Sequence, residues 1–275
     1  MGKIRISLPV ALSALTGFVM SNGEIGGRGW LLALGVFLCS AGSGALNHYQ
    51  EREIDIKMPR TKNRPIPSGR ITPGGALAVA LLYVFSGSLI LFFTQPVIAM
   101  LLSWATLVSY NLIYTPLKKV TAFAVVPGSV IGALPPMIGW AAAGGNLSDP
   151  TILIVSAFFF IGQIPHFWIL LLMFGDQYKL AGLPSLNQVF SEAQIKRLTY
   201  TWTLTTVAAA LLVLFYVFVN VTIFFFLLLY VFYLLFSFTF SFLIQKNFPP
   251  KPIFYKLNFL YLFMMIFLIV DGLIK

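Results

Sequence analysis

Apolar stretches long enough to cross a bilayer recur along this chain of 275 residues. About 20 apolar residues span a hydrocarbon core as a helix. Stretches of this kind lie near 6–22, 29–50, 74–94, 96–115, 121–143, 150–174, 197–219, 221–244 and 256–274. The pattern predicts an all-α, polytopic membrane bundle of nine transmembrane helices, one domain over 1–275 with the lipid bilayer as its solvent. Composition agrees: 59% of residues are hydrophobic, 9% are charged, and mean hydropathy is +0.90. Soluble domains carry about 25% charged residues. The opening Met-Gly-Lys-Ile-Arg and its apolar run resemble a signal peptide, but no clear small-x-small cleavage site follows and further spans do. The run therefore reads as the first membrane helix. The single cysteine, Cys39, reads as a small core residue.

The charges predict the orientation. With the N-terminus inside, Lys3 and Arg5 are cytoplasmic, as are Arg52, Lys57, Arg60, Lys62, Arg64 and Arg70. Lys118, Lys119, Lys179, Lys196, Arg197, Lys246, Lys251 and Lys256 join them, sixteen of the eighteen Lys and Arg residues. Only Arg28 and Lys275 fall outside. This is the positive-inside pattern. It accounts for most of the net charge of +10, and no nucleic-acid motif is present. The basic face also attracts anions. Two long polar loops, 51–73 and 175–196, lie on that face, where function concentrates. Asp271, near the outer end of the last span, reads as an interfacial charge.

The richest segment runs from Asn47 to Lys57. Asn47, Glu51 and Asp55 are spaced i, i+4, i+8, which puts three oxygen-bearing side chains on one helical face. Such a set suits Mg²⁺, a hard cation that shares its shell with substrate phosphates. The alternative is an ordinary solvated helix end. A proline-rich loop with Arg60, Lys62, Arg64 and Arg70 follows at once. Oxygens for a metal beside cations for phosphate oxygens form two halves of a diphosphate site. No P-loop motif occurs.

Asn-x3-Glu-x3-Asp followed by Lys-Met-x-Arg-Thr-Lys-Asn-Arg-Pro resembles the first signature of the UbiA-type intramembrane prenyltransferases, with Glu51 where that family usually has Asp. The resemblance covers nearly the whole chain. It implies nine helices and a Mg²⁺-dependent diphosphate site facing the cytoplasm. Tyr110 to Thr121, Gly132 to Trp140, and Pro165-His166-Phe167-Trp168 with Asp176-Gln177-Tyr178-Lys179 resemble the branch of protoheme IX farnesyltransferases. Relatives acting on quinone precursors or glycerol lipids usually carry a second Asp-x3-Asp; here Leu180 stands four residues after Asp176.

The resemblance implies the following chemistry. Asn47, Glu51 and Asp55, with Asp176, hold Mg²⁺. Arg60, Lys62, Arg64, Tyr114, Lys118 and Lys179 meet farnesyl diphosphate. His166 contacts the acceptor, heme B, from a point ~15 Å of helix rise from Asp176, about halfway down the bilayer. The reaction is farnesyl transfer to a vinyl group of heme B at the plasma membrane. Two rivals stand beside it. One is a sister prenyltransferase with an aromatic or lipid acceptor. The other is a transporter, which requires polar residues along a path through the bilayer rather than at one face. For His166, Asp176 and Lys118 the bland alternatives are helix packing, a solvated helix end and a topology charge.

Overall fold

The computed structural model describes residues 2–245 and 248–275. Lys246 lies outside the described residues. Among those described, nine helices are long and apolar enough to cross a membrane. In chain order they are α1 Ile4–Asn22, α2 Gly26–Gln50, α3 Pro73–Thr94, α4 Val97–Leu117, α5 Ala122–Ala142, α6 Pro150–Leu180, α7 Glu192–Val217, α8 Val221–Ile244 and α9 Pro250–Ile274. Each lies within three residues of its expected span except α6, α7 and α9, which extend beyond it by five or six residues at one end.

Close approach of backbones sets the first half of the bundle. α1 wedges between α2, α5 and α9, while α3 packs along α2. A side chain at Gly17 or Gly139 would collide with backbone of the facing helix, so α1 and α5 cross almost in contact. Cys39 is 3% exposed where α2 meets α3. A second core joins α6 to α9 through Phe158, Val213, Leu227, Phe238, Leu257 and Met264. Phe225, Phe226, Leu229 and Phe236 remain exposed on α8, as a lipid-facing surface requires.

Three departures from the expected elements shape the site. α2 stops at Gln50; Glu51, at φ −107° and ψ 7°, joins it to a short helix Arg52–Lys57. The helical hydrogen bonds nevertheless continue, from Glu51 N–H to Asn47 O at 3.0 Å and from Asp55 N–H to Glu51 O at 2.8 Å. α5 is a short 3₁₀ turn and two helical pieces meeting at Ser129; Pro127 removes a backbone donor from the first piece, and Pro135 and Pro136 remove two from the second. α6, with 31 residues, is ~46 Å long and overhangs a hydrocarbon core of ~30 Å. It therefore carries Asp176, expected at the end of this helix, and also Lys179, expected in the loop that follows. Its end is sealed by Gly182 at φ 72°, with Leu183 N–H on Tyr178 O and Gly182 N–H on Lys179 O, both 3.0 Å.

Asp271 is not an interfacial charge. It is 1% exposed and accepts from the backbone N–H groups of Val219 and Asn220, with Lys275 at 3.1 Å. It thereby ties α9 to the turn between α7 and α8.

Candidate active site

The end of α4 is built by a π-helical turn, Ser109–Tyr114. Thr115 donates its N–H to Tyr110 O, five residues back, and its hydroxyl to the same oxygen at 2.8 Å. Pro116 has no N–H to restore the regular ladder. The extra residue in this turn stacks Tyr110 on Tyr114, ring centroids 5.8 Å apart, and brings Tyr114 to 5.6 Å from Phe167 on α6. Lys118 follows immediately.

Opposite this aromatic wall lie the three oxygen-bearing residues: Asn47 1% exposed, Glu51 4% and Asp55 0%. They are not a solvated helix end. Each has its own cation from a different part of the chain. Arg64 Nη1 bridges both Asp55 oxygens at 2.8 Å. Lys118 Nζ pairs with Glu51 Oε1. Lys3 Nζ donates to Asn47 Oδ1 at 2.5 Å and to Tyr110 Oη at 3.0 Å. Burial works against ionisation of Glu51, but Lys118 holds its carboxyl below the ordinary value. Burial likewise opposes the Lys118 ammonium, and Glu51 more than offsets it, raising its pKa. Lys3 has no carboxylate of its own; burial, with Arg64 nearby, lowers it to about 7.

Lys3 is a site residue that the sequence reading assigned to topology alone. Its φ of 44° is the only positive value among described non-glycine residues. That left-handed conformation, costly for a lysine, is accompanied by the contacts to Asn47 and Tyr110. Nothing in the local sequence signals it, because its partners lie 44 and 107 residues away. Tyr178, quoted in the sequence only as part of the Asp176–Lys179 motif, also lies near this site. It packs against the small cluster of Met58, Ala181 and Leu183, which Ile54 of the short helix also joins.

The other candidates are placed as follows. Arg60 lies on the end of α6, its guanidinium over the Phe174 ring at 4.8 Å and its N–H donating to Gln177 Oε1 at 3.2 Å. Lys62 and Lys179 are exposed. Asp176 is exposed too and lines a depression of about 410 Å³ with Phe174, Phe190 and Glu192. It does not converge on Glu51 and Asp55: among the described residues no three His, Cys, Asp or Glu side chains are grouped to hold a metal. His166 meets the Phe254 ring at 4.7 Å, four residues into α9. It is therefore about one turn below the start of that helix, shallower than halfway, because α6 overhangs. Its Nδ1 is buried without a hydrogen-bond partner.

The donor set fits Mg²⁺ chemically. Two carboxylates and a carboxamide oxygen, all hard donors, are buried side by side at the end of α2 and the start of the short helix. Glu51 Oε1 is buried and, beyond its charge contact with Lys118, accepts no hydrogen bond.

The UbiA prenyltransferase family matches residues 10–266, and the chain belongs to that family. Within it, the chain is 40% identical over 182 residues to a protoheme IX farnesyltransferase of Oleidesulfovibrio alaskensis, covering 66% of this chain and 64% of that one. It is 38% identical over 180 residues to the protoheme IX farnesyltransferase of Geobacter sulfurreducens, covering 66% of each. The matched stretch thus spans just under two thirds of these relatives' length. Among solved structures, a UbiA homolog from Aeropyrum pernix K1 superposes with TM-score 0.74 at 18% identity, over 100% of this chain and 98% of that one. A UbiA homolog from Archaeoglobus fulgidus, bound to GPP and Mg²⁺, gives 0.72 at 14%, over 99% and 98%. These two likenesses establish the fold.

Proposed function

We propose that this chain, acting as one domain over 1–275, transfers the farnesyl group of farnesyl diphosphate to a vinyl group of heme B, giving heme O and diphosphate. The observation that carries the reading is the buried face of Asn47, Glu51 and Asp55 opposite Lys3, Arg64 and Lys118, walled by Tyr110 and Tyr114. The names of the relatives above support the choice of acceptor.

Asn47, Glu51 and Asp55 would hold Mg²⁺; Asp176, exposed at the end of α6, stands apart from them. Mg²⁺, when bound, would neutralise diphosphate charge and ease its departure. Arg64 and Lys118, with Arg60, Lys62 and Lys179 at the rim, give phosphate oxygens charge-assisted hydrogen bonds that strengthen as the leaving group gains charge. The C1–O bond breaks with its electron pair going to diphosphate. The faces of Tyr110, Tyr114 and Phe167 flank the allylic cation, and the surrounding helices keep water from it. The vinyl π electrons form the new C–C bond. Water then adds to the resulting carbocation and releases a proton, leaving a hydroxyethylfarnesyl group. His166 contacts the heme from the α6–α9 side. The N-terminus and the site face the cytoplasm, in the plasma membrane.

The test is to incubate purified protein with heme B, farnesyl diphosphate and Mg²⁺ and to seek heme O by mass spectrometry. Heme O should form, and His166→Leu should weaken heme binding, read by absorbance titration, while leaving farnesyl diphosphate affinity unchanged. Product from an aromatic acid but none from heme B would discard the heme acceptor and keep only prenyl transfer.

A further inference from the structure

We propose that Gln50 and Asn111 are a pair of positioning residues that hold the oxygen-bearing end of α2 at a set distance from the tyrosine and lysine end of α4. In a regular helix the Asn111 carbonyl would accept from Thr115 N–H. That N–H is committed to Tyr110, and Pro116 offers none. Asn111 is 0% exposed, so a carbonyl without a partner there would be costly. Gln50, the last residue of α2, supplies the donor: its Nε2 reaches Asn111 O at 3.0 Å.

The contact is returned. Asn111 Nδ2 donates to Gln50 Oε1 at 3.0 Å and to Ser43 O at 3.1 Å, and Ser43 Oγ donates to Asn111 Oδ1 at 2.5 Å. A third rung, Asn47 Nδ2 to Thr115 Oγ1 at 3.1 Å, lies on the same pair of helices. Every polar atom of the Asn111 side chain is used in this way, so it is not free to meet a metal or a substrate. What it controls is register. Gln50 adjoins Glu51, whose ion pair runs to Lys118, seven residues beyond Asn111. A shift between the two helices moves Glu51 relative to Lys118 and Tyr114, and catalytic geometry tolerates little such movement.

The proposal rests on the metal and diphosphate reading of the face formed by Asn47, Glu51 and Asp55. The test uses the whole protein in detergent and an unreactive thiolodiphosphate analogue of farnesyl diphosphate, with calorimetric affinity measured across a Mg²⁺ series and a thermal midpoint for each variant. Gln50→Met and Asn111→Leu keep side-chain length and delete the hydrogen bonds. Each should weaken analogue binding about tenfold and shift the Mg²⁺ requirement upward. The double variant should be no weaker than the weaker single, since both changes break one clamp. Gln50→Glu sets an oxygen against the Asn111 carbonyl in place of the donor, so it should weaken binding at least as much as Gln50→Met, and Gln50→Ala serves if the longer apolar variants fail to fold. Lower thermal midpoints with wild-type affinity and Mg²⁺ requirement would reduce the pair to scaffold and overturn the proposal. A wild type that shows no Mg²⁺-dependent binding would instead overturn the diphosphate reading itself, and the positioning role with it.

Discussion

A single nitrogen of Arg64 bridges both carboxylate oxygens of Asp55, at 2.8 Å to each, although Asp55 is wholly buried and Arg64 comes from a loop nine residues on. This contact folds the proline-rich loop back onto the short helix Arg52–Lys57. Thr61, 1% exposed, assists by donating its hydroxyl to Asp55 O at 2.9 Å.

Asp55 and Arg64 should be coupled in stability but not in chemistry. Arg64→Met strands a buried carboxylate, at a cost of roughly 3–5 kcal/mol. Asp55→Asn together with Arg64→Met should restore part of the lost thermal midpoint. Turnover should be abolished in every variant lacking Asp55, and excess EDTA should abolish it in wild type. A double variant as unstable as the sum of the singles, or full activity in EDTA, would contradict this.

Lys3→Met keeps the aliphatic stem and removes the ammonium from Asn47 and Tyr110. A charge-assisted hydrogen bond of this kind is worth about 1.5–3 kcal/mol. Steady-state kinetics should show kcat/KM for the diphosphate substrate reduced by roughly tenfold or more. Unchanged kinetics would return Lys3 to the status of an orientation charge.

Orientation is testable by itself. Lys3, Arg64, Lys118, Lys196 and Lys256 lie at or near helix ends on the side of the bundle that carries the site, whereas Arg28 and Lys275 lie at the other. A reporter fused after Arg60 should read as cytoplasmic, and one in the 144–149 loop as external. Reversed labelling would place the site on the opposite side of the membrane.

The nine helices were legible in the sequence because hydropathy is a local property: a stretch of about twenty apolar residues needs no partner to declare itself. The four-residue spacing of Asn47, Glu51 and Asp55 was legible for the same reason, and their grouping survives the break at Glu51 because the backbone hydrogen bonds continue through it. Helix ends were less legible. The overhang of α6 is polar, so hydropathy stops near residue 174 while the helix goes on to Leu180. What only the tertiary structure decided is which partner each site residue meets. Four cations follow Asp55 in the loop, and composition does not say that Arg64 lies on it while Arg60 lies on Phe174. Lys3 enters the site because α1 crosses α5 at Gly17 and Gly139 and packs against α2, which carries residue 3 to Asn47. Asn111 meets Gln50 because a π turn and a proline together free one carbonyl. The contacts of Lys3 with Asn47 and Tyr110 and of Gln50 with Asn111 cross 44, 107 and 61 residues of chain, are set by how closely helices can approach, and no local pattern encodes them.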